Sequence, residues 1–312
     1  MFSLNSAIGN TPLIELKNLT GISNIRIYAK LEFLNPGGSV KDRMVSYILN
    51  EYEKSGKLQR GGVIVENTSG NTGAALAMLA VPKGYRVILT MPDKVSREKQ
   101  ETLKALGAEV IVCPTSASPG SPEHYVQKAR DIASTTDNAV MLNQYDNRLN
   151  VEAHYNSTGP EIWNTLRGNI DYFVAAGSTG GTISGVGKFL KEMDPKIKVV
   201  MPDPIGSIYY EYFNTGTYSQ ESISTYQVEG IGEDHIAKCM DFSIVDSMMQ
   251  FTDDMAFSAT RLLARKEGIF AGGSSGANIW GCLELMNSLE HPANIVTILP
   301  DSGVKYLSKI FS

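Results

Sequence analysis

The sequence predicts an α/β protein with two doubly wound parallel-sheet domains and an active site between them. Three observations carry this expectation. Apolar, β-rich runs alternate with helical patterns along the chain. The length of 312 residues corresponds to about two domains. Glycine-rich loops recur where a strand gives way to a helix, and in open α/β sheets ligands bind at the carboxyl ends of strands.

The elements follow in order. Residues 25–33 (IRIYAKLEF) alternate and favour a strand. Residues 44–52 (MVSYILNEY) carry apolar side chains at helical spacing. Further strands are expected at 62–67 (GVIVEN), 85–91 (YRVILTM), 109–113 (EVIVC), 172–176 (YFVAA), 197–201 (IKVVM), 269–271 (IFA) and 294–299 (NIVTIL). Helical patterns lie at 71–79, 96–106, 122–134, 182–193, 253–266 and 275–289. Near-continuous apolar strands of this kind belong to parallel sheets buried on both faces. Residues 202–224 are long, aromatic and polar, and read as a functional surface loop. A domain boundary is expected near 144–150.

Composition narrows the function. Hydrophobic residues make up 42% of the chain and charged residues 20%, enough for sizeable cores. A net charge of -5 and the lack of any long basic run argue against a nucleic-acid partner. No run approaches about 18 consecutive apolar residues, so no membrane span is expected. The first residues show no basic segment leading into an apolar one, so no signal peptide is expected. Cys113, Cys239 and Cys282 are odd in number and far apart, which suits a reducing, cytoplasmic setting rather than disulfides. The four histidines are scattered, and no metal site is expected.

Four loops carry the chemistry. In NPGGSVKDR, residues 35–43, Lys41 falls in the first turn of a helix. It reads either as an exposed lysine on a solvated helix end or as an amine whose charge is disfavoured so that it forms a Schiff base. In ENTSGNTG, residues 66–73, Thr68, Ser69, Asn71 and Thr72 offer donors, and Gly70 lets a ligand approach the backbone. This is an N-cap turn or a seat for a carboxylate. In GSTGGTISGVG, residues 177–187, backbone N–H groups at a helix start suit a phosphate. A P-loop is excluded there, because Thr182 and Phe189 stand where glycine and Ser/Thr are required. The fourth loop is GGSSGA, residues 272–277. Together they ask for a ligand with a phosphate and a carbonyl that lysine attacks, such as pyridoxal phosphate with an amino-acid substrate.

The ordered set PGGSVKDR, TSGNTG, STGGT, EGIG, GGSSGA and LPDS resembles the fold-type II (tryptophan synthase β-like) pyridoxal-phosphate enzymes of the cysteine synthase / cystathionine β-synthase family. The likeness runs over nearly the whole chain. LEFLNPGGSVKDR, SREKQETLKALGAEV, LNQYDN and VEGIGED look closest to the cystathionine β-synthase core. The resemblance implies a smaller, substrate-closing domain over 36–145 and a larger domain, 8–35 with 146–312, that binds the cofactor's phosphate. It implies that Lys41 carries the cofactor and moves the α-proton, and that Asn71 bonds its phenolic oxygen. Thr68, Ser69, Gly70, Thr72 and Gln144 would hold the substrate carboxylate. Ser178, Thr179, Gly180, Gly181 and Thr182 would hold the phosphate, and Ser274 would face the pyridine nitrogen. The implied reaction is β-replacement or β-elimination on a cysteine- or serine-type amino acid through an aminoacrylate intermediate, in a homodimer. A chain of this extent is also expected to lack the regulatory module and the haem-binding extension of some relatives.

The chain departs from that pattern twice. Ser178 stands where the family usually has glycine. Glu233, followed by Asp234, stands after EGIG where close relatives place a tyrosine or a small or apolar residue. A carboxylate there would act as a catalytic base for a weak nucleophile if it faces the site, or point to solvent if it does not. Cysteine synthase or cystathionine β-synthase activity is the favoured reading. The alternatives are a cysteine lyase releasing hydrogen sulfide and adding water, a diaminopropionate-type synthase using an amine, or a non-catalytic binding partner on the same scaffold.

Overall fold

The computed structural model describes residues 4–21, 24–118 and 120–312. Residues 1–3, on which the signal-peptide expectation partly rests, lie outside the described residues. The chain forms two compact units, a smaller one of 1–8 with 41–144 and a larger one of 9–40 with 145–312. The larger unit begins with β1 (Leu13–Glu15), α1 (Lys17–Thr20) and β2 (Ile25–Leu31). The smaller unit then supplies α2 (Lys41–Lys54), β3 (Val63–Asn67), α3 (Asn71–Ala80), β4 (Arg86–Pro92), α4 (Arg97–Ala105), β5 (Glu109–Cys113), α5 (Tyr125–Thr135) and β6 (Ala139–Met141). The larger unit resumes with α6 (Leu149–Tyr155), α7 (Thr158–Leu166), β7 (Tyr172–Val174), α8 (Gly181–Met193), β8 (Lys198–Pro204), α9 (Tyr209–Thr215), β9 (Ser247–Phe251), α10 (Asp253–Glu267), α11 (Gly273–Ser288) and β10 (Ala293–Leu299).

In the smaller unit the strand order is β5-β4-β3-β6, all parallel. The chain steps outward from β3 to β5 and returns beside β3, so the order reverses between β3 and β6. Such a reversal opens a crevice at the strands' carboxyl ends. Val63, Val65 and Ile88 pack on one face against Ala129 of α5. On the other face, Leu89 lies beside Gly73 of α3 and Leu103 of α4 is buried.

The larger unit holds a six-stranded sheet, β1-β2-β10-β7-β8-β9, parallel except for β1. Its order reverses between β10 and β7. Side chains alternate between two cores, as strand geometry requires. Phe173, Val199, Met201, Val296 and Ile298 face Ile162 of α7 and Ile183, Val186 and Leu190 of α8. Val174, Val200, Ile295 and Leu299 face Leu263 of α10 and Ile279 and Leu285 of α11. Each fully buried side chain of this kind contributes roughly 1.5–3 kcal/mol.

Several expectations need correction. Residues 269–271 are not a strand; Ala271 alone bridges to Ser302. Residues 202–224 are not one long surface loop: β8 continues to Pro204, α9 follows, and Asp203 and Tyr209 are fully buried. The helices α6, α7 and α9 and the strands β1, β6 and β9 had no clear sequence signal. In α6 two of the buried residues are polar, Asn150 and His154, so its inward face does not register as apolar. Among the described residues, no helix is long and apolar enough to cross a membrane.

Part of the glycine cluster in 177–187 serves packing. A Cβ on Gly185 would sit 2.3 Å from the Val151 carbonyl oxygen and 2.8 Å from the His154 Cβ in α6. Alanine is the better helix former by about 1 kcal/mol, but forcing two backbones apart costs about 1–3 kcal/mol. Gly185→Ala is therefore expected to destabilise the chain, read as a lowered denaturant midpoint. An unchanged midpoint would mean that α6 moves aside freely.

Candidate functional site

Lys41 is the first residue of α2 and is partly exposed, whereas Asp42 and Arg43 beside it are buried. In the same unit, β3 ends at Asn67 and the chain bends through Thr68, Ser69 and Gly70 into α3. Thr68, Ser69 and Asn71 are partly exposed there. A Cβ on Gly70 would meet nothing within 4 Å, so the backbone borders open space at that point. Thr72 and Gln144 are far apart in sequence, yet the Thr72 hydroxyl donates to Gln144 Oε1 at 2.8 Å. Both are buried. The α3 N-terminus, the positive end of the helix dipole, lies at this hydroxyl-amide pair.

One residue behind this loop had been missed. Glu66 is 1% exposed. Its Oε2 accepts the Asn143 N–H at 2.9 Å. Burial pushes its carboxyl up to about 7, against the pull of backbone N–H groups from residues 142–144. Glu66 thus ties the segment carrying Gln144 to the end of β3. The signal was present as a lone carboxylate inside the apolar run GVIVEN.

The larger unit carries Ser178 to Thr182 across the turn after β7 and into the first residues of α8, at the reversal of its sheet. Gly180 is the N-cap, with φ +84°, and a Cβ there would lie 2.4 Å from the Met240 Cα. Only glycine meets both demands. Asn150 and His154 of α6 back the loop. Asn150 Nδ2 donates to Thr179 Oγ1 at 3.0 Å, and Thr182 Oγ1 lies 3.2 Å from His154 Nε2. Ser274 is the second residue of α11 and is buried.

Ser178 and Glu233 meet. The Ser178 hydroxyl donates to Glu233 Oε1 at 2.5 Å, and the Ser178 carbonyl accepts from Tyr209 OH at 2.7 Å. The Glu233 side chain is 12% exposed and that of Asp234 71%. Burial holds the Glu233 carboxyl above its ordinary range, although the Ser178 hydroxyl opposes the shift. His235 Nδ1 lies 3.0 Å from Asp234 Oδ1 and 3.5 Å from Glu233 Oε2. Lys41, Asn71 and the Thr72–Gln144 pair thus belong to one unit, and Ser178–Thr182, Ser274 and Glu233 to the other.

The donor set fits pyridoxal phosphate. The loop before α8 presents backbone N–H groups at a helix start and has no acidic side chain of its own, which suits a phosphate. A partly exposed lysine at a helix start suits Schiff-base chemistry.

Residues 4–301 match the family described as pyridoxal-phosphate dependent enzymes. The chain is 45% identical over 309 residues to a cystathionine beta-synthase of Apis mellifera, covering 98% of this chain and 60% of that one. It is 40% identical over 306 residues to the O-acetylserine dependent cystathionine beta-synthase of Bacillus subtilis, covering 98% and 96%. The crystal structure of the O-acetylserine dependent cystathionine beta-synthase from Helicobacter pylori superposes with a TM-score of 0.89 at 37% identity, covering 100% and 99%.

The buried Glu66 makes stability depend on pH. Its raised pKa means that the folded chain holds this proton more tightly than the unfolded chain does. The ionised form therefore costs stability progressively from the ordinary 4.5 up to about 7, and the cost is constant above that. Glu66→Gln is expected to gain on the parent across this window, by at most about 1.4 kcal/mol per pH unit. Denaturant unfolding at several pH values checks this; a constant difference would mean that Glu66 ionises alike in both states.

Proposed function

The chain belongs to the pyridoxal-phosphate dependent enzyme family, and we propose that it carries out β-replacement on a serine- or cysteine-type amino acid, with a thiol or sulfide as nucleophile. The observation that carries this reading is the Thr72–Gln144 pair beside the open backbone at Gly70. With the Thr72 hydroxyl proton given to Gln144 Oε1, the bond turns the Gln144 amide so that its Nε2 is the donor offered to the carboxylate common to all α-amino acids. The similarity to O-acetylserine dependent relatives supports an activated serine as the first substrate.

Bound pyridoxal phosphate supplies an electrophilic carbon for the substrate amine and an electron sink for the α-carbon. The chain's own residues do the rest. Lys41 would hold the cofactor and would take the substrate's α-proton on Nζ and return it. Asn71 is assigned to the phenolic oxygen. Thr68, Ser69, Gly70, Thr72 and Gln144 orient the carboxylate. The loop from Ser178 to Thr182 would anchor the phosphate and so limit the freedom of the bound cofactor. Ser274 offers a neutral hydroxyl to the ring nitrogen. A hydroxyl does not hold that nitrogen protonated, so the electron sink is weaker and β-elimination is favoured over transamination.

Glu233 and Asp234 are not assigned as bases for water. One Glu233 oxygen already accepts from Ser178, and the Asp234 side chain is largely exposed beside His235. The cytoplasm and a homodimer complete the reading. The three free cysteines are consistent with a reducing compartment, and the homodimer rests on the family resemblance.

The first test mixes the purified holoprotein separately with L-cysteine, L-serine and O-acetyl-L-serine and follows the visible absorbance. A band shift with O-acetyl-L-serine that reverses on adding a thiol is expected. Sulfide released from cysteine alone would replace this reading with the lyase. Lys41→Ala is expected to lose the borohydride-reducible chromophore and at least about 10²–10⁴-fold in turnover. Retention of both would remove Lys41 from the chemistry.

A further inference from the structure

We propose that Glu233 is a positioning residue that clasps the phosphate loop through Ser178 and makes the loop's hold on a phosphate depend on the proton it carries. This rests on the reading above for what occupies the loop.

The geometry is a cross-brace within the larger unit. The Gly232 N–H donates to the Gly177 carbonyl at 2.7 Å, and the Ser178 hydroxyl donates to Glu233 Oε1 at 2.5 Å. On its other side the same segment is fastened to the turn before α9. The Glu233 N–H donates to Ser207 Oγ at 3.1 Å, and the Ile208 N–H donates to the Glu233 carbonyl at 3.0 Å. Tyr209 then donates to the Ser178 carbonyl at 2.7 Å. The first residue of the phosphate loop is thus gripped at its hydroxyl and at its carbonyl. Because the hydroxyl is directed to Glu233, it is not available to a phosphate, and the backbone N–H groups of the loop carry that task.

This clasp places a carboxyl one hydrogen bond away from a loop built to receive a dianion. The ionisable groups around it come from several elements. Asp234 and His235 lie on its own segment, Tyr145 follows β6, Asp203 is next to last in β8, Tyr209 belongs to α9, and Tyr226 precedes the EGIG turn. His235 is the one among them that adds positive charge when protonated; the others are acids or phenols. Burial of Asp203, with Glu233 adding to the effect, pushes its carboxyl up to about 7, so the region already disfavours negative charge. A phosphate dianion on the loop would raise the Glu233 pKa further, since like charges disfavour each other's ionised forms. By linkage, phosphate binding then takes up a proton at Glu233, and affinity falls as pH rises through its pKa.

The test uses the full chain stripped of cofactor and titrated with pyridoxine 5′-phosphate. This probe has the phosphate but no aldehyde, so it cannot react with Lys41. Dissociation constants are measured from about pH 6 to 9 for the parent, Glu233→Gln and Ser178→Ala. Glutamine still accepts from Ser178 but carries no charge. The parent is expected to weaken with pH more steeply than Glu233→Gln. The variant gains about tenfold at the alkaline end for each unit by which the phosphate raises the Glu233 pKa, and the two converge at the acid end. Ser178→Ala removes the hydroxyl that favours ionised Glu233, so its transition is expected at higher pH than the parent's. The ³¹P resonance of pyridoxal phosphate bound to the parent and to Ser178→Ala should show the same displacement, which keeps the test open if Glu233→Gln fails to fold. Parallel curves for parent and Glu233→Gln, or no displacement in Ser178→Ala, would overturn the clasp's electrostatic role and leave the cofactor assignment standing. Failure of the parent to bind either pyridoxine 5′-phosphate or pyridoxal phosphate at any pH would overturn both.

Discussion

Helix α8 approaches its neighbours too closely for a side chain at Gly180, Gly181 or Gly185, and much of the larger unit is arranged around that closeness. A Cβ on Gly180 would collide with Met240, one on Gly181 with Asn150, and one on Gly185 with Val151. Because the backbone comes so near, α6 lies where Asn150 and His154 reach the hydroxyls of Thr179 and Thr182. The same contacts leave the N–H groups of the helix start as the loop's main donors. Close packing and the proposed anion seat therefore share one cause: glycine at 180, 181 and 185, where a Cβ would collide with neighbouring chain.

The second organising feature is where the acids lie. Glu66 and Asp203 are buried at or near the carboxyl ends of parallel strands, and burial pushes both carboxyls up to about 7. A buried acid is tolerated when it is hydrogen-bonded or neutral. Glu66 accepts from Asn143 and Asp203 from the Tyr210 N–H at 3.0 Å. Each fixes a segment that follows a strand, and these segments carry Gln144 in one case and lead into Tyr209 in the other. Glu233 follows the same logic with a side-chain donor, Ser178, in place of a backbone one.

These features suit chemistry in which the chain contributes placement more than reactivity. A phosphate held by backbone N–H groups is held by atoms that cannot change rotamer. Thr72 and Gln144, proposed to seat the substrate carboxylate, are already joined by a hydrogen bond, so less side-chain freedom would be lost on binding. On the proposed function, the loops and the neutral hydroxyl of Ser274 would hold the cofactor, and Lys41 would move the proton.

The sequence by itself determined the class of fold and the place of each glycine loop. Strand-then-glycine-then-helix patterns are local, and a run such as EVIVC or a helix start such as Lys41 is legible from its neighbours alone; residues 109–113 and the α2 start fall where the pattern puts them. The family was legible for the same reason, because its motifs are short and ordered. Only the tertiary structure decided what is joined to what. The Thr72–Gln144 and Ser178–Glu233 bonds span 72 and 55 residues, and no periodicity reports a contact over such separations. It also decided that Gly185 serves packing, that 202–224 holds a buried strand end and a helix, and that Glu233 turns inward while Asp234 stays exposed. Adjacent residues share a local signal; which of them is buried depends on what the distant chain brings against it.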